Sequence, residues 1–403
     1  QDGIRDPLWS RGLGDVYKRQ AFTPHGSGNV TIVNDDGINF AASTMGGVFT
    51  MTADSTVYDD GDSIKVSNDT TVTGTVVSTT GSTVYYTGSF RQNINGGIFE
   101  AGDTITDGTN TRTIAGSGVA NGTLPATATA GNITQSGAVQ ITGRSTFTTS
   151  EADADITLQN TSNNFFEGVS FNTTGSGGNV AVYDSTDFYL GASTINGNLE
   201  VATGNASGAN IGDDGIATVT GTTDLSASGT NNANVASIWM SNYSHVFSGA
   251  LSAQGHHVKL KLGAATELGT IRAKRGNVNI TSSGALTQSG PIQSVTDTVI
   301  SASGQNVTLN NTSNSFGGNS NATITSTRVT SADEIIVTGA NVVVASDHSF
   351  NLGASTVSGN LTLVSSSAAG ASHTGITDTG AVTVGGNLIA TTDANSGVIN
   401  LDS

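Results

Sequence analysis

Cysteine is absent from all 403 residues, so neither a disulfide framework nor a thiolate metal site can be built. Only four prolines occur, which leaves nearly every backbone N–H free to donate to a neighbouring strand. Aromatic residues make up 5% and charged residues 11%, the latter less than half of the roughly 25% usual in globular chains. The charge is also one-sided. Fourteen basic against 31 acidic residues give a net −17, which argues against nucleic acid as a partner, because such a surface cannot displace counterions from phosphates. No run of about 18 apolar residues occurs, the length that a membrane-spanning helix needs.

Small and polar residues fill the space instead. There are 53 glycines, and apolar residues reach only 35%, below the roughly 45–50% of an ordinary domain. Residues 1–20 differ from everything after them. They hold Arg5, Arg11, Lys18, Arg19 and Trp9, four of the 14 basic residues and one of the two tryptophans. Asp15-Val-Tyr-Lys-Arg-Gln20 back-translates to GAT GTG TAT AAG AGA CAG, which resembles the mosaic end that transposase-based library kits attach to DNA fragments. On that resemblance residues 1–20 are read as translated adapter without structure, and the rest as a fragment whose targeting signal lies upstream.

Internal repeats organise the remaining chain. Asn29-Val-Thr-Ile-Val with Ala42-Ser-Thr44 matches Asn179-Val-Ala-Val-Tyr with Ala192-Ser-Thr194, and Asn341-Val-Val-Val-Ala with Ala354-Ser-Thr356. A weaker copy begins at Val258. The leading valines stand at 30, 180, 258 and 342, spaced by 150, 78 and 84. A second element, Ile133-Thr-Gln-Ser-Gly137, recurs at Ile211, Leu286 and Ile376, spaced by 78, 75 and 90. A third is Asn160-Thr-Ser-Asn163 before Phe166, repeated as Asn311-Thr-Ser-Asn314 before Phe316. The unit is near 78 residues, and the interval of 150 reads as two units with one diverged copy between. Residues 55–130 match poorly; they read as that diverged unit, with room for a hairpin projecting from it.

Val180 and Val182, Val278 and Ile280, Leu361 and Leu363, and Val382 and Val384 alternate with small polar residues, the period of a half-buried strand. Gly-Asn, Gly-Gly and Asp-Gly pairs mark the turns between. A 78-residue unit divides into about four coils of roughly 20 residues, the scale of a β-solenoid. The fold class expected is therefore all-β, a parallel β-helix, with residues 21–130 including the diverged unit and 131–403 the regular repeats. In such a coil like positions would stack about 4.8 Å apart into apolar ladders, with Asn and Thr ladders at the turns. Disorder accounts for the composition but not for phased valines, and a string of sandwich modules accounts for the period but not for the lack of linkers.

The elements I-T-Q-S-G, L-x-N-T-S-N-x-F and Leu190-Gly-Ala-Ser-Thr-Ile-Asn-Gly-Asn-Leu199 (again as Leu352 to Leu361) resemble repeats of large bacterial surface exoproteins of the filamentous haemagglutinin type. That resemblance implies a right-handed parallel β-helix, exported by two-partner or autotransporter secretion through an outer-membrane pore. It implies an adhesin stalk, secreted or on the bacterial surface, with host or environmental glycans as partners and no cofactor.

Catalysis on such a fold needs clustered carboxylates. The candidates are Asp35-Asp36, Asp59/Asp60/Asp62, Asp153/Asp155 and Asp213-Asp214, each beside Gly, Asn or Ser, where aspartate usually bonds its own turn. Asp213-Asp214 fill the slot held by Gln135-Ser136 and Gln288-Ser289 in sister copies, so the slot accepts neutral residues and no catalytic residue is assigned. Neither an EF-hand loop nor a glycine-rich calcium repeat occurs. His256 and His257, adjacent in a strand, would face opposite ways and could not share a metal, so no metal site is assigned. A polysaccharide-active β-helix enzyme and a phage tail fibre remain alternatives to a non-catalytic stalk. One uneven feature is the cluster Lys259, Lys261, Arg272, Lys274 and Arg275, half of the ten basic residues beyond residue 20. With Trp239 and Tyr243 just upstream, these residues on neighbouring coils would make an aromatic-edged cationic patch for an anionic glycan. The alternative is an ordinary solvated face.

Overall fold

The computed structural model describes residues 131–205, 208–229, 236–316, 334–346, 348–366, 375–392 and 397–402, together with short strands before residue 131. Every regular element among the described residues is a β-strand. Two compact units divide the chain: residues 1–160 with 172–179, and residues 161–171 with 180–403.

In the second unit the chain winds between two walls of parallel strands. Wall A begins with Val180–Asp184, Leu199–Asn205, Thr223–Gly229, Leu251–Gly255 and Thr266–Ala273, joined in register as Val180 on Leu199, Leu199 on Thr223 and Thr223 on Leu251. Wall B runs through Phe188–Leu190, Ile211–Asp213, Ile238–Phe247, Val258–Leu262, Val278–Ser282 and Thr298–Ser301. About ten turns of about 23 residues stack in this way, somewhat longer than the coils of roughly 20 residues that dividing the 78-residue unit into four suggested. Alternation decides which side chains face inward. In Val180–Asp184, Val180, Val182 and Asp184 are buried while Ala181 and Tyr183 are half-buried. Phe165, Phe171, Phe188 and Phe247 fill the interior, fully buried, with Phe165 edge-on to Phe188 at 6.5 Å. A core fed by one inward side chain per two residues needs few apolar residues, which is how a composition of 35% suffices.

The 78-residue period is not the stacking period. At about 23 residues per turn it spans about three and a half turns, so successive copies start on opposite walls. Val180 and Val342 lie on wall A and Val258 on wall B; Ile211 and Ile376 lie on wall B and Leu286 on wall A. Val180, Val258 and Val342 are buried, as expected, but they do not pile on one another. What stacks is one motif on the next within a copy: Leu190 on Asp213, Leu268 on Gln288 and Leu352 on Asp378. This explains the motif glycine. A Cβ on Gly215 would strike the Ala192 backbone, one on Gly290 would lie 2.6 Å from the Thr270 nitrogen, and one on Gly380 2.9 Å from the Ala354 nitrogen.

Corner residues tie each turn to the next. On wall B, Asp187 Oδ1 accepts the Asn210 N–H (2.8 Å), Asn210 Oδ1 the Ser237 N–H (2.9 Å) and Ser237 Oγ the His257 N–H (3.3 Å). On wall A, Asn341 Oδ1 accepts the Asn360 N–H (3.0 Å) and Asn360 Oδ1 the Asn387 N–H (2.9 Å). These are the turn ladders that the asparagine content suggested.

In the first unit, strands Val30–Asn34, Phe49–Ala53 and Ser145–Ala152 also stack in parallel, with Val30 and Ser145 both in register with Phe49. Successive rungs here are thus separated by nearly a hundred residues of sequence. The strands within that interval, from Ser63–Val66 to Thr123–Pro125, form a six-stranded antiparallel sheet of their own. An antiparallel sheet thus stands between consecutive turns, within the stretch 55–130 that the sequence read as a diverged unit with room for a projecting hairpin. Antiparallel strands joined by tight connections need no crossover, so such a sheet can leave the spiral and return. Residues 1–18 lie outside the described residues. Arg19–Gln20, expected to lack structure, pair in parallel with Asn39 and Phe40.

Leu260 is buried on wall B between Met240 and Ile280. Leu260→Ala is expected to lower stability by about 2–5 kcal/mol, the cavity-forming range, whereas Leu388→Ala, at a position 46% exposed, should stay within about 0.5 kcal/mol. Denaturant midpoints of the two variants check this; equal losses would mean that the walls do not enclose a shared core.

Candidate functional site

The polar residues that make the repeats recognisable mostly hold turns together. In the third slot of I-T-Q-S-G, Gln288 Oε1 accepts the Asn311 N–H and Gln135 Oε1 the Asn160 N–H, both at 3.1 Å. Asp378 Oδ1 accepts the Asp402 N–H at 3.1 Å. The last residue of N-T-S-N is fully buried in both copies. Asn314 Oδ1 accepts the Ile292 N–H (2.8 Å) and its Nδ2 donates to the Ala345 carbonyl (2.9 Å), while Asn163 Nδ2 donates to the Tyr183 carbonyl (3.2 Å). The acidic pairs behave alike. Asp153, at φ 65°, accepts the Ser176 and Gly177 N–H groups, and Asp155 accepts that of Asn179. They bond the adjacent turn of the spiral, not their own backbone as expected. Asp35-Asp36 and Asp59/Asp60/Asp62 lie outside the described residues. Among the described residues, no three His, Asp or Glu side chains gather closely enough to hold a metal.

One slot departs from this pattern. Asp213 Oδ2 accepts the N–H groups of both Asn242 and Tyr243 (2.9 Å each), and Oδ1 accepts Asn242 Nδ2 (2.9 Å). The receiving strand, Ile238–Phe247, bulges here: its register on Val258–Leu262 slips between Met240 and His245. His245 is fully buried, 3.1 Å from Asp213 Oδ2 through Nε2, and its Nδ1 accepts the Ala217 N–H at 3.1 Å. Because Nδ1 accepts, the ring is the Nε2–H tautomer and donates to the carboxylate. Burial holds the imidazole below its usual value, against the pull of Asp213, and so neutral. Phe247 stacks on it at 5.8 Å. His245 is not among the residues that the sequence pattern singled out. The available signal was the ten-residue run Ile238-Trp-Met-Ser-Asn-Tyr-Ser-His-Val-Phe247, which lacks the glycine that splits the corresponding wall one turn earlier into Ile211–Asp213 and Ala217–Val219.

The structure divides the predicted patch. Trp239, Lys259 and Asn279 stand in register on wall B, with Trp239 42% exposed and stacked on His257 at 5.6 Å. Lys259 is exposed and Lys261 partly so, and Tyr243 projects from the bulge. Arg272, however, lies on wall A between Gln254 and Gln293, and Lys274 and Arg275 follow in the turn. Thirteen residues separate Lys259 from Arg272; at about 23 per turn that is half a turn, not the full coil expected. The five therefore do not share one cationic face: Lys259 and Lys261 lie on wall B, Arg272 on wall A, and Lys274 and Arg275 in the turn that follows it. Burial, then Arg272, lowers the Lys274 pKa. His256 and His257 occupy a bend, not a strand, so their rings meet at 4.3 Å where alternation would have kept them apart.

Two further groups titrate abnormally. Asp184 is fully buried; its Oδ2 accepts the Phe165 N–H (3.0 Å) and its Oδ1 the Thr186 N–H (2.8 Å). Burial outweighs these bonds and raises its carboxyl from 3.8 to about 7. His256 is pushed from 6.5 to about 4 by burial, then by His257 and Arg275.

Compared with known families, the chain matches one described as repeats of unknown function (DUF5649), over residues 27–84, 101–172, 177–254, 255–323 and 339–403. Four of these copies begin three residues before the valines at 30, 180, 258 and 342. The first two divide the inserted antiparallel sheet between them. No curated protein and no solved structure matches.

Two measurements follow. Asp213→Ala leaves the Asn242 and Tyr243 N–H groups without their acceptor and should lower stability by about 1–3 kcal/mol, read from denaturant unfolding; no loss would mean that the bulge stands without Asp213. Asp184 has a folded pKa above its unfolded one, so the folded state holds the proton between 3.8 and about 7 and stability falls as pH rises through that window. His256 acts with the opposite sign, its contribution being lost as pH falls from 6.5 toward 4. Thermal melts from pH 4 to 7 should therefore show Asp184→Asn gaining on the parent chain as pH rises. Parallel curves would rule out titration of Asp184 there.

Proposed function

The chain belongs to the family of repeats of unknown function (DUF5649), and from that premise we propose that it is a non-catalytic structural stalk. We place it in a secreted or bacterial surface-displayed adhesin of the filamentous haemagglutinin type, exported through an outer-membrane pore. The observation that carries this reading is the parallel pairing of the second unit, where every turn from Val180 to Asn400 is hydrogen-bonded to the next along both walls. Load applied along such a stack is shared by many backbone bonds, and each turn depends only on its neighbours. The engagement of Asp153, Asp155, Asp187, Asp213 and Asp378 as acceptors for backbone N–H groups favours a structural over a catalytic use of the carboxylates. Absence of cysteine suits export without cross-links.

Single-molecule pulling on the full chain tests the stalk. Turns of 23 residues should release in increments of about 80 Å of contour or small multiples of it. Extension without force steps overturns the reading, and so does release of new reducing or unsaturated ends when the chain is incubated with a panel of polysaccharides.

A further inference from the structure

We infer that the bulged segment of wall B is a binding site for an anionic polysaccharide, with Trp239 and Tyr243 as stacking surfaces and Lys259 and Lys261 as charge partners. Three independent features meet there. The first is the break in regularity: Asp213 takes the place of a sister-copy glutamine and gathers two consecutive backbone N–H groups, which pushes Asn242 and Tyr243 out of the wall. Bulges commonly re-aim side chains at binding sites, and this one is fixed from beneath by a buried carboxylate and a buried imidazole.

The second feature is aromatic exposure. Tyr189, Gly212 and Trp239 occupy successive rungs of one outward file. A Cβ at Gly212 would come within 2.9 Å of the Tyr189 ring, so that ring leans over the glycine toward Trp239. Tyr189 and Tyr243 are each 39% exposed and Trp239 42%. Trp239 is held by its stack on His257, so its orientation is set before any ligand arrives. Rigid, half-exposed rings suit the apolar faces of sugar rings and lose little entropy on binding.

The third feature is local charge. Lys259 sits on the rung after Trp239, and Lys261 lies close enough to His245 to depress its protonation. Neither lysine forms an ion pair among the described residues. Asp213 is buried beneath the bulge, and the Asp214 carboxyl lies over Gly168, toward the preceding turn. A chain of net −17 thus presents two lysines beside two aromatic rings, complementary to carboxylate or sulfate carried on a sugar. A polyphosphate backbone needs a longer basic track, which favours the glycan.

The full chain should be run in affinity gels containing heparin, polygalacturonate or dextran, and titrated with a single-stranded DNA oligonucleotide. Retardation by heparin but not by polygalacturonate identifies sulfate as the recognised group, because heparin carries both groups, and retardation by polygalacturonate identifies carboxylate; dextran should not retard. Trp239→Ala, and Lys259→Gln with Lys261→Gln, should each weaken binding by about tenfold or more, with Trp239→Phe intermediate. Arg272→Gln with Lys274→Gln, on wall A and in the turn that follows it, should stay within about twofold. Far-UV circular dichroism should match across these variants, whose side chains all lie outside the apolar core. The proposal is overturned by absence of retardation in both acidic gels, by equal loss in the Arg272/Lys274 variant, or by tighter binding to the oligonucleotide. It builds on the stalk reading but fails separately from it, since none of these results changes the force steps of the pulled chain.

Discussion

Every feature of the second unit depends on one constraint: the backbone of each turn is hydrogen-bonded in parallel to the turns on either side. Strands held about 4.8 Å apart leave no freedom for a residue to shift alone. Whatever stands at a corner must satisfy the N–H of the corner above. Asp187, Asn210 and Ser237 do so in succession, which is why short acceptors recur before so many strands. The same closeness admits only glycine at Gly215, Gly290 and Gly380. Composition thus follows from the stack: small residues where backbones touch, one apolar side chain in two facing inward, and few charges because little of each strand needs one.

The mismatch between the sequence repeat and the spiral has a consequence for display. If the repeat held a whole number of turns, equivalent surface positions would line up along one wall. At about three and a half turns, an exposed position of one copy reappears on the opposite wall in the next. A local specialisation such as the Asp213 bulge is therefore flanked by unlike neighbours and need not be repeated to be accommodated. The neutral His245 beneath it shows how far one slot can depart from the pattern: where Gln288 meets two asparagines of the next turn, Asn311 and Asn314, Asp213 organises a bulge at Asn242 and Tyr243 and a buried ring.

Much of the fold was legible in residue order. Val180 with Val182, and Leu361 with Leu363, announced half-buried strands, and both pairs are buried on wall A. The turn ladders were legible in the asparagines. The candidate site was legible only in part. Trp239, Tyr243, Lys259 and Lys261 share a wall, but Arg272 and Lys274 were joined to them on the assumption that nearness in sequence means a neighbouring coil on the same face. Tyr189 escaped notice because it stands fifty residues before Trp239, a distance that two turns of the spiral erase. The poor match of residues 55–130 to the repeat marked where the spiral is interrupted, but not the pairing of the six strands there, because which strands meet in an antiparallel sheet is not written in any one of them.

Sequence alone determined the class of structure and its repeating character, because period-two alternation, glycine pairs and recurring motifs are local properties that each segment carries with it. Tertiary structure alone decided the turn length, the wall to which each copy is assigned and the company each exposed side chain keeps. Those depend on how many residues the chain needs to circle its own core, a quantity set by packing across the interior and written in no single segment.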